Sequence, residues 1–304
     1  MAHPERIAII GAGLMGHGIA QVFAVAGHPV SVFDVSTDAL VSLNARIADN
    51  LSSLGLSPEI AQRVKAHAQL PAAVRDADVV IEAGPENLAW KQQLFAELET
   101  LAPAHALLAS NTSVIPITQI MSGLRTGRRA LGTHWWNPPY LVPLVEVIKT
   151  PETGDAEAQQ MFDLLARTGK TPAMVHKDVP GFIGNRMQHA LWREAIALVA
   201  EGVCDAETVD TVVKASFGRR LPVLGPLENA DLVGVDLTLA IHETVLPHID
   251  HTAGPSPYLS QLVAQGRLGM KTGQGFRSWS KQAQQDLKDK VRAHLVAMNQ
   301  AESR

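Results

Sequence analysis

Cysteine is almost absent from the chain: Cys204 is the only one in 304 residues. A lone cysteine excludes an internal disulfide and fits a reducing compartment, and nothing around it marks a nucleophile. An excess of positive charge is also missing. The formal net charge is −4 and no basic stripe is visible, so nucleic acid is not an expected partner. No apolar run approaches the length needed to cross a bilayer, so no membrane partner is expected either. Repeats and low-complexity tracts are lacking. The start, Met1-Ala-His-Pro-Glu-Arg6, passes directly into a strand-like run, so no signal peptide is expected. With the cysteine usage, this makes the cytoplasm the expected location. What is present suits a globular protein, with 46% hydrophobic and 18% charged residues and length enough for two domains.

The first run, Arg6-Ile-Ala-Ile-Ile10, is β-branched and bounded by glycine. Gly11-Ala-Gly13-Leu14-Met15-Gly16 follows, then a helical pattern to about Ala26. Strand, Gly-x-Gly-x-x-Gly and helix in that order form the dinucleotide fingerprint. Gly11 permits the tight turn, Gly13 lets the backbone approach a pyrophosphate, and Gly16 lets the helix pack on the strand. The helix N-terminus offers free N–H groups and a positive dipole to the phosphates. The next strand, Pro29-Val-Ser-Val-Phe33, ends in Asp34. A carboxylate there binds ribose hydroxyls and repels a 2′-phosphate, so NAD is the expected cofactor and no metal is called for. The competing reading is a Gly-rich turn in an unrelated α/β protein.

Ser36 to about Leu54 reads as one amphipathic helix with Ser36 as its N-cap, and Pro58 to His67 as a further short helix. Ala77-Asp-Val-Val-Ile-Glu82 reads as a buried strand. Glu86, Asn87 and Lys91 follow it, and on spacing alone they read as a solvated helix start with ordinary charges. Ala106–Ala109 is the next strand, ending in Ser110-Asn111-Thr112-Ser113. Those small polar residues sit where ligands bind in doubly wound sheets. Equally, they cap the helix expected from Pro116.

Arg129–Thr133 reads as a strand ending at His134, and Leu144–Ile148 as a second strand carrying Glu146. Between them stand Trp135-Trp136-Asn137-Pro138-Pro139, where the prolines forbid a helix. If the two strands lie side by side, Glu146 reaches the His134 ring. A carboxylate behind an imidazole fixes its tautomer and stabilises its protonated form, as a general base requires. The plain alternative is a surface histidine beside an unrelated glutamate. Asp155 to Thr168 reads as a helix, Thr171–His176 as a closing strand, and Lys177–Gly181 as the boundary between domains. Beyond it the strand–helix alternation stops. Phe182–Val203 and stretches near 205–215, 235–249, 257–265 and 281–300 are helical patterns. The fold class expected is therefore α/β: a doubly wound sheet over residues 1–178, then a smaller all-helical domain over 179–304.

Taken together, these pieces resemble the NAD-dependent 3-hydroxyacyl-CoA dehydrogenase family over nearly the whole chain. The likeness is carried by Gly11–Gly16 with Asp34, Glu82-Ala83 with Glu86-Asn87 and Lys91, Asn111-Thr-Ser113, His134-x-x-Asn137-Pro138, and Leu144-Val-Glu146-Val. Pro180-Gly-Phe-Ile-x-Asn185-Arg186, Gly225-Pro226 with Asp231–Asp236, and Lys271-Thr-Gly-x-Gly-Phe276 extend it. The resemblance implies a Rossmann-type NAD-binding domain and a helical substrate domain that builds a homodimer. It implies His134 as the base, Glu146 as its partner, Asn185 on the substrate oxygen and Ser113 on the reacting hydroxyl. It also implies cofactor contacts from the Gly11–Gly16 turn, including Leu14 and Met15, and from Asp34, Glu86, Lys91, Asn137 and Lys271. The implied reaction takes the proton of a 3-hydroxyl to His134 and the hydride to the nicotinamide.

Some features depart from the acyl-CoA pattern. The acyl-CoA enzymes carry a lysine-rich arm after the ribose aspartate; here the stretch from Asp34 towards Arg63 has no lysine and only Arg46 within it. Asn137-Pro-Pro-Tyr140-Leu-Val-Pro143 resembles the L-gulonate 3-dehydrogenase and lambda-crystallin branch. Asn185-Arg-Met-Gln-His-Ala-Leu-Trp192-Arg193-Glu194 resembles that branch and carnitine dehydrogenase. The Lys271 loop follows the acyl-CoA enzymes. The favoured substrate is a small free 3-hydroxy acid of gulonate or carnitine type, with Arg186 or Arg193 on its carboxylate and Trp135 and Trp136 walling the pocket. Structural ion pairs for the arginines and core packing for a tryptophan are the bland alternatives. The second functional reading is a short-chain L-3-hydroxyacyl-CoA dehydrogenase. A third is an NAD-binding structural protein of crystallin type, for which the retained set Ser113, His134, Glu146 and Asn185 would have no purpose.

Overall fold

The computed structural model describes residues 4–302. Its strands are β1 Ile7–Ile10, β2 Val30–Phe33, β3 Val64–His67, β4 Val79–Glu82, β5 Leu107–Ser110, β6 Ala130–Trp135, β7 Leu144–Ile148 and β8 Thr171–Val175. They form one sheet in the order β3-β2-β1-β4-β5-β6-β7-β8. Strands β1 to β6 are parallel, β7 returns antiparallel to β6, and β8 runs parallel to β7. The order reverses at β1, which has β2 on one side and β4 on the other. In an open parallel sheet that switch point opens a crevice at the carboxyl ends of the strands.

The helices of this half are α1 Leu14–Val25, α2 Thr37–Val41, α3 Leu43–Ser53, α4 Leu70–Val74, α5 Leu88–Leu101, α6 Ile117–Ile120 and α7 Asp155–Arg167. Side chains alternate across a strand, so each strand feeds two cores. Ile7 and Ile9 of β1 join Phe23, Ile47 and Leu164 on one face. Ala8 and Ile10 join Phe95, Leu98 and Ile117 on the other. The doubly wound α/β reading is the architecture found.

Local readings needed correction. The helix expected over Pro58–His67 is a 3-10 turn, Pro58–Arg63, followed by edge strand β3. Val64-Lys-Ala-His67 carries little strand signal of its own, and its pairing Val30↔Val64 through Phe33↔His67 supplies the missing preference. The single helix expected from Ser36 is broken at Ser42, whose hydroxyl donates to the Asp38 and Ala39 carbonyls.

The remaining helices are α8 Gly184–Ala200, α9 Ala206–Ala215, α10 Pro226–Val233, α11 Val235–Val245, α12 Pro257–Ala264 and α13 Lys281–Glu302. Helix α8 starts later than the pattern from Phe182 suggested, because Gly181 and Phe182 take positive φ of 76° and 50°. Helix α10 went unforeseen; Gly225 N donates to Glu228 Oε2 and closes its first turn. By packing, the chain forms two compact units: one runs to Arg186 and takes in the segment from His294, and the other is Met187–Ala293. Asp178 is fastened within the first unit by the Thr118 N–H and hydroxyl, and Asn299 Nδ2 donates to the Leu141 carbonyl. Among the described residues no helix is long and apolar enough to cross a membrane.

Candidate active site

The three fingerprint glycines are each needed for a different reason. Gly11 has φ +112°, and a Cβ there would stand 2.6 Å from the Ala83 carbonyl oxygen. At Gly16 a Cβ would fall 1.8 Å from the Gly11 carbonyl oxygen, so the start of α1 rests directly on the turn. A Cβ at Gly13 meets nothing within 4 Å. That open space lies at the N-terminus of α1, where Gly13 is the N-cap and no side chain occupies the free N–H groups. Leu14 is exposed and Met15 half-buried beside it. Asp34, at the end of β2, holds the turn: its carboxylate accepts from Ala12 N at 2.6 Å and Ser36 N at 2.8 Å. These residues fit a dinucleotide, with an open cradle for a pyrophosphate and a carboxylate where ribose hydroxyls would arrive.

After β4, Glu86 and Asn87 are exposed, but Lys91 is not solvated, which corrects the spacing-based reading of that residue. Lys91 is 1% exposed, and its ammonium donates to both oxygens of the fully buried Glu82, at 2.6 and 2.7 Å. Glu82 also accepts from the Ser110 hydroxyl at 2.6 Å and Gly84 N at 2.7 Å. Every lone pair that burial takes from water is thus answered by a donor. Glu86 lies 3.7 Å from the same ammonium. Its carboxylate accepts from the Thr112 hydroxyl and from Ser113 N. Glu82 and Ser110 were not singled out for this role in the sequence; a glutamate closing an apolar strand was the available signal.

The register of β6 and β7 places His134 opposite Glu146. His134 Nδ1 and Glu146 Oε2 are 2.7 Å apart, and both side chains are buried. Glu146 Oε1 accepts from Ile183 N at 2.8 Å and Gly184 N at 3.0 Å, the first N–H groups of α8. Burial alone pushes the Glu146 carboxyl up; the bonds from His134, Gly184 and Ile183 outweigh that and hold it below its ordinary value of 4.5. A carboxylate fixed on Nδ1 leaves Nε2 as the ring's free nitrogen. Trp136 and Phe182 flank the imidazole with ring centroids at 5.3 and 5.5 Å. Gly184 makes room for this wall, since a Cβ there would stand 2.5 Å from the Trp136 ring.

Ser113 and Asn185 meet at the same place: Asn185 Nδ2 donates to the Ser113 carbonyl at 2.8 Å. Asn111 Oδ1 accepts from Trp135 N at 2.9 Å, which ties β6 to the polar end of β5. Trp135 itself is a correction. It is 2% exposed and packs edge-on against Phe23 in the core. Strand alternation sends it to the face opposite His134, so it cannot wall a pocket on the His134 side. Asn137 is exposed, after β6. Arg186 is exposed, and its nearest acceptor is the Pro180 carbonyl at 3.5 Å. Arg193 and Lys271 lie in the second unit and are exposed. Among the described residues neither Arg186 nor Arg193 has a carboxylate within ion-pair distance, although the bonds from Thr252, and after them the Arg193 charge, hold the Asp250 carboxyl below its ordinary value.

Comparison with known proteins fits this geometry. Residues 6–179 match the family model described as 3-hydroxyacyl-CoA dehydrogenase, NAD binding domain, and 181–279 match its C-terminal domain. The chain is 32% identical to a 5-formyl-3-hydroxy-2-methylpyridine 4-carboxylate 5-dehydrogenase of Mesorhizobium japonicum, covering 97% of each chain. A crystal structure of an enzyme of that activity, described as an NAD+ dependent dismutase, superposes with a TM-score of 0.91 at 31% identity, covering 98% of both chains. The (S)-3-hydroxybutyryl-CoA dehydrogenase of Ralstonia eutropha superposes with a TM-score of 0.77 at 33% identity, covering 92% of this chain and all of that one.

Proposed function

The chain belongs to the NAD-dependent 3-hydroxyacyl-CoA dehydrogenase family, and on that premise we propose that it oxidises a hydroxyl of a small free carboxylic acid, with His134 as the base. The observation that carries the base is the 2.7 Å contact of His134 Nδ1 with Glu146, itself anchored by two N–H groups. Nε2 of His134 takes the proton of the substrate hydroxyl. Glu146 stabilises the imidazolium that results, inside a site of low dielectric. The Ser113 hydroxyl, which has no partner among the described residues, meets the reacting oxygen, and Asn185 holds the Ser113 backbone in place. Trp136 and Phe182 keep water from the ring. NAD, when bound, accepts the hydride. Gly11, Gly13, Gly16 and Asp34 would hold it, with Glu86 beside the buried Lys91–Glu82 pair at the edge of the same crevice.

A free acid is favoured over a CoA ester because no cation of the arm after Asp34 is available. Arg46 donates to the Ala12 and Ala39 carbonyls, and Arg63 to the Ala24 carbonyl. The phosphates of a CoA nucleotide need such cations. Arg186 has no acidic partner, lies next to Asn185, and is the candidate for the substrate carboxylate. The Mesorhizobium relative, named for a pyridine carboxylate, supports the same class, and gulonate- or carnitine-like acids are members of it. The alternative, a short-chain 3-hydroxyacyl-CoA substrate, draws support from the Ralstonia structure.

The second unit points to a homodimer. Helices α9, α10 and α11 bury no residue, and Leu227 is 80%, Leu232 72% and Val235 67% exposed. Apolar exposure on that scale marks a covered surface, and a second copy is the cover we assign. NADH oxidation with acetoacetyl-CoA and, separately, with small free keto acids such as dehydrocarnitine tests the substrate class. Turnover of the CoA ester alone overturns the free-acid reading. A monomer mass in sedimentation overturns the dimer.

A further inference from the structure

A second cavity lies within the first unit, beside the loop that follows the catalytic strand. Its volume is about 370 Å³, and Gln21, Val22, Leu54, Leu141 and Lys170 are among its walls. That size suits a small organic molecule. No acidic residue lines it. Lys170 Nζ donates to the Pro139 carbonyl and, at 2.9 Å, to the Val142 carbonyl, and lies 5.7 Å from the Trp135 ring centroid. Among the described residues no carboxylate pairs with it, and burial lowers its ammonium to about 8. Gln21 is 1% exposed, and its Oε1 has no hydrogen-bond partner. A buried amide oxygen without a partner is costly and unusual in a finished structure.

We infer that this cavity binds a small organic carboxylate, its head group on Lys170 and Gln21 and its apolar body along Val22, Leu54 and Leu141. The ammonium has a third proton beyond the two its carbonyl partners take, and no counter-charge. The amide of Gln21 can present its N–H₂ to the same head group by turning about its last bond. The other walls set Val22, Leu54 and Leu141 beside Tyr140, Thr168 and Asn299, a mixture that matches an anion with an organic body. The carbonyls that now hold Lys170 belong to the loop after Asn137. An anion that draws the ammonium away therefore loosens the segment between the base strand and β7, which makes the cavity an effector site for the enzyme.

Sodium benzoate is the probe, followed by saturation-transfer NMR on the full chain. The expected result is a bound signal whose affinity falls roughly ten-fold or more in Lys170→Met, the loss of about one charge-assisted bond. Val25→Phe, which fills the cavity from α1, should weaken it as well, while Arg186→Ala should not. Benzoate should also shield Lys170 of the unaltered chain from acetic anhydride, read by mass spectrometry, which makes the test independent of how a variant folds. No bound signal, no shielding, or a signal lost in Arg186→Ala and kept in Lys170→Met would overturn the inference; the last result would place the anion at the catalytic site instead.

Discussion

Glutamine in place of Glu146 preserves shape while changing which atoms donate. Oε1 of Glu146 accepts from two backbone N–H groups, Ile183 and Gly184, and Oε2 faces His134 Nδ1. In Glu146→Gln the two N–H groups retain the amide oxygen, because the opposite rotamer would set an N–H₂ against two donors. The amide nitrogen then faces Nδ1, which must become an acceptor, and the ring proton moves to Nε2. A base with its accepting nitrogen protonated is disabled. General-base loss is worth about 10²–10⁴-fold, and a wrong tautomer belongs at the upper end, near 10⁴ or about 5 kcal/mol of barrier. The assay is kcat for NAD+ reduction on the best hydroxy acid, where His134 accepts the proton, with NADH affinity measured separately by fluorescence and expected unchanged. A kcat within about ten-fold of the parent would refute the assigned tautomer. The same variant checks a stability effect. The Glu146 carboxyl is held below its ordinary 4.5, so its contribution is complete above that pH and is lost as pH falls through the lower folded value. Glu146→Gln should flatten that acid limb in denaturant melts.

Lys91→Met leaves Glu82 charged, buried and unpaired, and should cost about 3–5 kcal/mol in urea unfolding, with Glu82→Leu added in the same chain recovering much of it. A recovery near zero would mean the pair stabilises the fold outright. Lys170 titrates near 8 when folded against an ordinary 10.5, so the unfolded chain binds more protons between those values and stability should rise with pH by up to about 3 kcal/mol; Lys170→Met should lack the rise, and a parent curve that falls over that window contradicts it. Asp34→Ala removes both bonds that hold the glycine turn and should weaken NADH binding at least ~10-fold, near 1.4 kcal/mol, in a fluorescence titration. Equal binding would mean the turn holds itself.

The parts legible in the sequence were those written in spacing. The Gly11–Gly16 turn, Asp34 at a strand end and the His134–Glu146 pair depend on short stretches whose periodicity fixes their geometry. What was not legible depends on partners far along the chain. Whether Lys91, on α5, is solvated is decided by Glu82 and Ser110, at the ends of β4 and β5. Trp135 and Trp136 look alike as letters, yet only the end of β6 decides that one enters the core and the other wraps the base. Strand β3 has four residues of weak preference and exists because β2 offers an edge. The break at Ser42 is a hydroxyl competing for backbone carbonyls, which a hydrophobic pattern cannot report.

Glu146 reaches its finished state only when Ile183 and Gly184 arrive. The glycine turn and Asp34, which fit a dinucleotide, precede them in the chain, and so does the histidine. During synthesis the growing polypeptide therefore contains its glycine turn before the groups that anchor Glu146, and through it His134, have been made. A chain ending at Pro180 would lack the two N–H groups on Glu146 Oε1, and so the anchor behind the imidazole. The order of residues thus doubles as an order of commissioning, in which α8 is the last piece and closes the circuit.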